Sequence, residues 1–375
     1  MKTVSLSVLS ILVLLSTPTA AQYLFSGYVY TGYSLDRPTD SRSIAMGESF
    51  VAVPNNPSAI TYNPAGLAGI PGISFSYAQR NDNIIDIRNR RYYSFNSTIH
   101  TPFVNVGIFY SQFNQGELEV TTESEPDGTG QFILPSDCSY GISIARTFGE
   151  FFSTGISIKT LDLSDAILTS RYSTTTVSHP VLFDLGMLFI LPLANNEATI
   201  AQRVCVGTSY QNIGAGVRVE SKPNSPLPPP VGYRVRASES IRAPQFFRLG
   251  FSYQCTVIAA NTDEPAPLSF LATGEYRNLM NAFDNQNAMR DYWGFGMEAT
   301  LYEILAVRLG GFGRNEITTG RYGAGLNVPL PRIGIDAPFT LSINYAAVPY
   351  QSTIISDSKV VHAFSIELHY GNNIF

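Results

Sequence analysis

The alternation of apolar with small or polar residues constrains the fold of this chain more than any other feature. Phe247, Leu249 and Phe251 alternate with Arg248 and Gly250. Comparable rows occur in the ranges 73–78, 104–111, 139–145, 183–189, 204–210, 293–301, 322–328, 341–346 and 362–370. A period of two places successive side chains on opposite faces of a β-strand. The pattern therefore predicts an all-β architecture over most of the chain.

The composition of the two strand faces indicates which all-β architecture this is. One face is apolar, and the other is mostly Gly, Ser, Ala, Thr and Asn, with charged residues making up only 14% of the chain. A soluble β-sandwich would carry charges on its outer face, and a propeller would repeat about every 40 residues. The fold class predicted here is a transmembrane antiparallel β-barrel with its apolar side toward lipid. The net charge of −5 argues against a nucleic-acid partner.

Chain length sets the number of strands and the width of the barrel. Roughly 300 residues of alternating sequence, at about 9–11 residues per strand and as many again in turns, give about 14 strands, within a range of 12 to 16. A barrel of that size is too wide for side chains alone to fill. We therefore expect a plug in its lumen or an open channel.

The stretch Ser41–Gly69 differs from the rest of the chain and is the candidate plug. It is rich in Ala, Gly, Asn and Pro, and its small residues would permit close approach to a barrel wall. Asn55 and Asn56 are good N-cap residues, and Pro57 suits the first helical position. Taken alone, the stretch is equally compatible with a helix-turn-helix packed on a soluble domain.

Short helical turns are expected within this stretch. Ser58–Tyr62 can form one or two turns, which end before Pro64 because the residue preceding a proline is pushed out of the helical region. Asn63 can cap a second turn at Ala65–Ala68, with Gly69 as its C-cap. The plug is therefore predicted to be small and helical.

The N-terminus predicts export. Lys2 precedes an apolar run, Val4–Leu15, and small residues end at Ala21. This order is typical of a secretory signal peptide, and the run is too short for a spanning helix. The predicted organisation is a signal peptide at 1–21 cleaved near Ala21, a lead-in and lumenal plug at 22–70, and a barrel at 71–375.

The C-terminal strand and two loops suggest contacts outside the barrel. His362–Tyr370 is amphipathic and the chain ends in Phe375, so this strand is the predicted contact for the barrel-assembly machinery. Glu123–Pro135 is polar, and Lys222–Tyr233 is dense in proline and should be stiff. Both are predicted to be external loops.

Two short motifs within the candidate plug resemble a known family. Ala-Met-Gly at 45–47 and Asn-Pro-Ala at 63–65 are similar to the N-terminal hatch of FadL-like outer-membrane proteins, the long-chain fatty-acid and hydrocarbon transporters. The resemblance is closest to the PorV/PorQ branch. Glu48 stands where the family usually has a second Gly, and Asn56 stands where an Asp is common.

The resemblance implies a 14-stranded barrel in the cell outer membrane, closed by the hatch. In the transporter branch an apolar ligand passes a gated hatch and leaves sideways through a gap in the wall. In the PorV branch the barrel serves type IX protein secretion and holds the C-terminal signal of exported cargo. The implied partners are outer-membrane lipid and either a hydrophobic small molecule or secreted cargo. The implied gating and ligand-binding residues are Met46, Gly47, Phe50, Asn63, Pro64 and Ala65.

Catalytic and metal-binding motifs were not found in the sequence. The four histidines lack metal-ligand spacing, and no nucleophile or phosphate-binding motif is present. We expect no cofactor, no metal, no catalytic residue and no enzymatic activity. Arg248, Glu298, Arg308 and Glu367 could in principle form a catalytic cluster in a barrel hydrolase, but ion-paired packing against the plug is the favoured interpretation. Three hypotheses remain: a transporter of hydrophobic molecules, a secretion barrel and, distantly, a barrel hydrolase.

Overall fold

The computed structural model describes most of the chain from residue 32 onward. The described ranges are 32–36, 40–82, 89–119, 124–130, 132–164, 166–169, 172–176, 179–193, 200–223, 239–259, 265–280, 291–314, 317–351 and 358–371. The predicted signal peptide, the lead-in before residue 32, most of the proline-dense loop and Phe375 lie outside these ranges. Those predictions remain predictions.

The described residues form twenty strands. They are β1 (Ile73–Asn81), β2 (Arg91–His100), β3 (Asn105–Asn114), β4 (Leu118–Glu119), β5 (Phe132–Ile133), β6 (Ser136–Phe148), β7 (Phe152–Ser164), β8 (Ala166–Thr169), β9 (Tyr172–Thr176), β10 (Val181–Pro192), β11 (Ile200–Gly214), β12 (Val217–Pro223), β13 (Glu239–Ile241), β14 (Phe246–Val257), β15 (Leu268–Leu279), β16 (Asp291–Leu301), β17 (Leu305–Arg314), β18 (Ile317–Pro329), β19 (Phe339–Gln351) and β20 (Ser358–Tyr370).

Fourteen of these strands close into one antiparallel barrel. Their order is β1-β2-β3-β6-β7-β10-β11-β14-β15-β16-β17-β18-β19-β20, and β20 pairs with β1 so that Tyr370 lies opposite Ile73. The order follows the sequence because each strand pairs with the next by a hairpin connection. The prediction of an all-β barrel with about 14 strands is confirmed.

The two ends of the barrel differ in their connections. The near end, where β1 begins and β20 ends, carries the short turns 101–104, 149–151 and 302–304 and the somewhat longer connections 258–267 and 330–338. The opposite, far end carries the longest connections, 115–135, 165–180 and 215–245, together with short ones such as 315–316. At the far end β13, β12, β9 and β8 form a separate four-stranded sheet, and β4 pairs with β5.

The wall presents its apolar side chains outward. Phe251 is 57% exposed, whereas the next residue, Ser252, is 2% exposed and faces the lumen. The buried core therefore lies inside the cylinder, between the wall and the segment it encloses. Among the described residues, no helix has both the length and the apolar character needed to cross a membrane.

The enclosed segment, residues 40–71, is the plug. It contains α2 (Ser41–Ala45) and two short 3₁₀ helices, η1 (Pro57–Thr61) and η2 (Pro64–Leu67); a further short helix, α1 (Tyr33–Asp36), precedes it. Asn56 Oδ1 accepts a hydrogen bond from the Ser58 amide at 2.8 Å, and Asn63 Oδ1 accepts one from the Ala65 amide at 3.1 Å. Both predicted caps are thus present, each followed by a proline that opens the helix.

One predicted helix end differs from the structure. η2 ends at Leu67 and its C-cap is Ala68, whose φ of −61° is right-handed, and Gly69 does not take the left-handed conformation of a glycine cap. A side chain at Gly69 would instead collide with that of Asn55. Glycine is needed there because Asn55, which precedes η1, and Gly69, which follows η2, lie against each other.

Candidate functional site

Met46 and Gly47 place the backbone of the plug directly against the backbone of the wall. Gly47 has a φ of +66°, and a Cβ on it would overlap the carbonyl oxygens of Gly311 and Phe295. Met46 is fully buried and approaches Gly296 just as closely. Only glycine satisfies both the backbone conformation and the space at position 47.

Glycines line the lumen at eight positions where the plug comes closest to the wall. At each of these positions a Cβ would collide with an atom of the plug: Gly155, Gly186, Gly207, Gly250, Gly294, Gly296, Gly310 and Gly323. We call this set the glycine girdle. Glycine within a strand marks the close approach of another backbone. The recurrence of glycine on the polar face of the strands is the sequence signal that could have located the seat of the plug.

An apolar cluster joins the two halves of the plug. Met46, Phe50, Val53 and Tyr62 pack together with Leu271 of β15. The rings of Phe50 and Tyr62 lie 5.5 Å apart between centroids. Phe50 therefore faces the interior of the plug, and the cluster fills the centre of the lumen.

Glu275 fastens the plug next to Phe50. Its carboxylate accepts hydrogen bonds from the amides of Phe50, at 2.8 Å, and Val51, at 2.9 Å. Its other oxygen accepts a hydrogen bond from Arg248 at 2.6 Å. Charge-assisted hydrogen bonds of this kind are about twice as strong as neutral ones. The sequence analysis did not identify Glu275.

Asn63 fastens the plug on the other side of the barrel. Its side-chain amide donates to the carbonyl of Val51 at 2.8 Å and to that of Met187 in β10 at 2.9 Å. Pro64 and Ala65 lie against Gly155 of β7. The Asn-Pro-Ala turn thus bonds the plug to itself and to the wall at the same point.

The six predicted site residues therefore form two groups within one buried plug. Met46 and Gly47 lie against β16 and β17, Phe50 lies in the central cluster, and 63–65 lie against β7 and β10. The rings of Phe50 and Tyr62 connect the groups. The structure brings these residues together by packing and hydrogen bonds.

Buried ion pairs hold the first part of the plug to β16, β17 and β18. Arg42 binds Glu298 at 2.6 Å, and Glu298 also pairs with Arg308. Glu48 binds Arg321 at 2.6 Å. Of the lumenal charges considered for a catalytic cluster, Glu298 and Arg308 are thus bonded to each other.

Glu48 adopts a left-handed conformation, with a φ of 58°, where the resembling family usually has glycine. Glu48 belongs to the plug and lies outside the membrane-spanning strands. Burial alone would raise the pKa of this carboxyl, but Arg321 and Arg277 outweigh burial and lower the pKa from 4.5 to about 2. The ion pairs thus keep Glu48 charged.

The lumen differs on the two sides of the plug. Toward the near end, a polar cavity of about 120 Å³ is lined by residues such as Arg203, Asn344 and His369. Toward the far end, Arg277 fills the space, with its guanidinium 4.2 Å from the ring centre of Tyr292 and 3.3 Å from Asp36 of α1. The larger of these lumenal cavities therefore lies on the near side of the plug, and a cavity of only about 30 Å³ lies beside α1 on the far side.

The wall is continuous where it is described. Every pair of neighbouring barrel strands is joined by a hydrogen-bonded register, and the register within the described barrel shifts only between Phe183 and Leu185. The extra residue of this bulge is in β11, where Asn212 has a φ of 60°. Asp184 lies opposite the bulge, accepting a hydrogen bond from the Asn212 amide at 2.7 Å and pairing with Lys159 at 2.7 Å. The bulge is braced by these contacts.

The described residues contain no group of three or more His, Cys, Asp or Glu side chains that could hold a metal ion. The closed wall and the segment 40–71 inside it together form a fourteen-stranded barrel of the outer-membrane type that contains a plug.

Comparison with solved structures supports this fold. The chain is similar to the Ralstonia pickettii toluene transporter TbuX, with 14% identity and a TM-score of 0.51, over 88% of this chain and 98% of that one. Weaker matches include the P. putida toluene transporter TodX, at 10% identity and a TM-score of 0.48 over 88% and 98%. A Pseudomonas aeruginosa FadL homologue matches at 12% and 0.45 over 88% and 98%. No protein-family model and no curated protein sequence matched.

Proposed function

We propose that this protein resides in the cell outer membrane and binds or passes hydrophobic small molecules through its plugged lumen. The proposal rests on one observation above others: the chain shares its fold, over 88% of its length, with a toluene transporter. In this proposal the near end faces the periplasm, because bacterial barrels have short periplasmic turns and longer external loops. The plug residues 46, 47, 50 and 63–65 are the proposed gate.

The contacts of the plug indicate what passage would require. The glycine girdle and Asn63 leave no gap between plug and wall at those contacts. Passage of a solute at those contacts therefore requires part of the plug to move. The hydrogen bond of Asn63 to Met187 of β10 is neutral and costs less to break than the buried ion pairs of Arg42 and Glu48. The Asn-Pro-Ala turn is accordingly the part that we expect to move.

Uptake by liposomes containing the purified protein tests this proposal. Entry of radiolabelled toluene and of a labelled fatty acid should exceed that into empty liposomes. Asn63→Ala should alter the rate of entry, whereas Asn89→Ala, on an exposed turn, should not. No entry above that of empty liposomes with the intact protein would reject the proposal.

A reversible cross-link tests which part of the plug must move. Cys205 of β11 packs against Val51 and Ala52 of the plug, so Ala52→Cys places a second thiol beside it. Oxidation should leave uptake unchanged, because it fastens residue 52 to the wall and leaves the Asn-Pro-Ala turn free to move. Ala52→Cys combined with Cys205→Ser is the matched control and should be insensitive to oxidant. Uptake that stops on oxidation and returns on reduction would show that the part of the plug around residue 52 must move as well.

A second candidate function is the binding of exported protein cargo, as in the PorV branch of type IX secretion. The observation that favours it is the four-stranded sheet of β8, β9, β12 and β13 at the far end. This sheet joins strands from two separate connections, 165–180 and 215–245. Capture of a secreted cargo domain by the intact protein, and loss of capture when residues 166–176 are replaced by a Gly-Ser linker, would support it. No capture with these connections intact would count against it.

We propose no catalytic role. Arg248 and Glu275 are paired at 2.6 Å, and Glu298 is shared between Arg42 and Arg308. These contacts support the packing interpretation of the lumenal charges over that of a barrel hydrolase. A lack of hydrolysis of ester and peptide substrates by the purified protein is the expected result.

A further inference from the structure

An apolar groove runs along the outer face of the wall over β6 and β7. Its volume is about 760 Å³, within the range of about 300–1,000 Å³ typical of sites for small organic ligands. The outward-facing side chains that line it are Tyr140, Ile142, Ile144, Ile156, Ile158 and Val181. Across the two strands Ile142 lies opposite Ile158 and Ile144 opposite Ile156. The groove follows the direction of the strands.

A single cation stands at the near end of this groove. Arg146 lines it, is exposed, and follows Ile144 on the outward face of β6. Among the outward-facing positions in the near half of the described barrel strands, Arg146 is the only charged residue. Its guanidinium lies 5.5 Å from the ring centre of Phe148. In the described part of the chain it has no ion pair and no hydrogen bond to a side chain.

The aromatic residues around Arg146 define its depth in the membrane. Phe148 and Phe152 have ring centres 6.2 Å apart, and Phe152 and Phe189 have ring centres 4.9 Å apart. Aromatic girdles of outer-membrane barrels lie where the hydrocarbon meets the headgroups. Arg146 is therefore at the level of the lipid phosphates, where an arginine on the lipid face costs far less than at the bilayer midplane.

We propose that the groove and Arg146 together form a binding site for one glycerophospholipid of the periplasmic leaflet. An acyl chain lies along the isoleucines, and the phosphate accepts hydrogen bonds from the Arg146 guanidinium. A planar guanidinium matches phosphate oxygens geometrically, and the groove offers the chain a fixed apolar surface. This inference rests on the outer-membrane location proposed above but not on what crosses the lumen.

Native mass spectrometry of the detergent-solubilised protein tests the site. The probes are phosphatidylglycerol and a diacylglycerol with the same chains, which lacks the phosphate. The intact protein should retain one phosphatidylglycerol preferentially. Arg146→Gln should lower that retention about tenfold, the equivalent of a lost charge-assisted hydrogen bond, and leave diacylglycerol retention unchanged.

Two further variants separate the headgroup contact from the groove and from general charge. Ile144→Trp fills the groove and should lower retention of both lipids. Arg91→Gln, at the far end of β2 on another part of the wall, should alter neither. Equal retention of phosphatidylglycerol by the Arg146→Gln and intact proteins would overturn the inference, as would an equal loss of both lipids in that variant. A protein that is freely soluble without detergent would instead reject the membrane location itself.

Discussion

The two halves of the plug are held in the same lumen by different forces. The first half, residues 40–53, is held by charged side chains. Arg42 pairs with Glu298, and Glu48 pairs with Arg321. The carboxylate of Glu275 accepts hydrogen bonds from two backbone amides of this half. The second half, residues 54–70, is held by neutral hydrogen bonds. Breaking one partner of a buried ion pair costs more than breaking a neutral hydrogen bond. The first half is therefore the anchor, and the second half is the part that can be released.

Removal of a charge from the anchor should have the largest effect. Glu298→Ala leaves Arg42 and Arg308 buried without their partner, which should lower the free energy of unfolding by about 4 kcal/mol. Urea titration of the folded protein in detergent, followed by circular dichroism, measures this. Glu303→Ala is the control, because it breaks an exposed pair with Arg332 and should cost less than about 1 kcal/mol. Equal losses would show that the lumenal pair is not an anchor.

Crowding at the girdle should have the next largest effect. Gly47→Ala adds a methyl group where two carbonyl oxygens of the wall already lie, and should cost about 3 kcal/mol in the same titration. Gly149→Ala is matched to it, because Gly149 has a φ of +64° but open space around it. That control should cost about 1 kcal/mol. If both variants lost the same amount, backbone strain alone would explain the need for glycine at position 47.

Loosening the second half should have a smaller effect. Asn63→Ala removes two donated hydrogen bonds and the cap of η2, at a cost of about 2 kcal/mol. Proteolysis of the plug should become faster while the barrel stays folded. Asn63→Asp keeps the cap but turns a carboxylate toward two carbonyl oxygens, so it should be no more stable than Asn63→Ala. A fully protected plug in both variants would contradict the division into anchor and releasable part.

A fall in pH should have the smallest effect, because the free energy of unfolding changes through Glu48 only below about pH 4.5. The folded pKa of Glu48 lies below its usual value, so the unfolded chain binds this proton more readily than the folded one. The stability from its pairs is thus present above about pH 4.5 and is lost as the pH falls toward 2. Glu48→Gln should flatten this part of the dependence of the unfolding free energy on pH. An unchanged profile in that variant would assign the acid sensitivity to other groups.

The strand pattern was sufficient to predict the fold because its signal is local. Each row of alternating residues, such as 247–257, shows which side chains share a face of that strand, whichever strands lie beside it. The same is true of the caps at Asn56 and Asn63, whose bonds reach only two residues ahead. The helices they open are 3₁₀ helices of four and five residues, a length typical of this helix type.

The contacts between plug and wall could not be predicted because they join distant parts of the chain. Arg42 meets Glu298, and the amide of Phe50 meets Glu275, although nothing near either carboxylate in sequence identifies its partner. Alternation placed Glu298 on the lumenal face but did not say which part of the plug it would meet, and Glu275 lies outside the alternating rows identified in the sequence. The pairing depends on the closed register of fourteen strands.

The glycine girdle also has a consequence for the order of assembly. An empty cylinder would leave Glu275 and Glu298 without the amides and the arginine that now satisfy them, and would expose a ring of bare backbone. Nor could a preformed cylinder admit a segment that touches its backbone on several sides. We therefore expect the N-terminal segment to be in position while the sheet is still open, so that the wall closes around it.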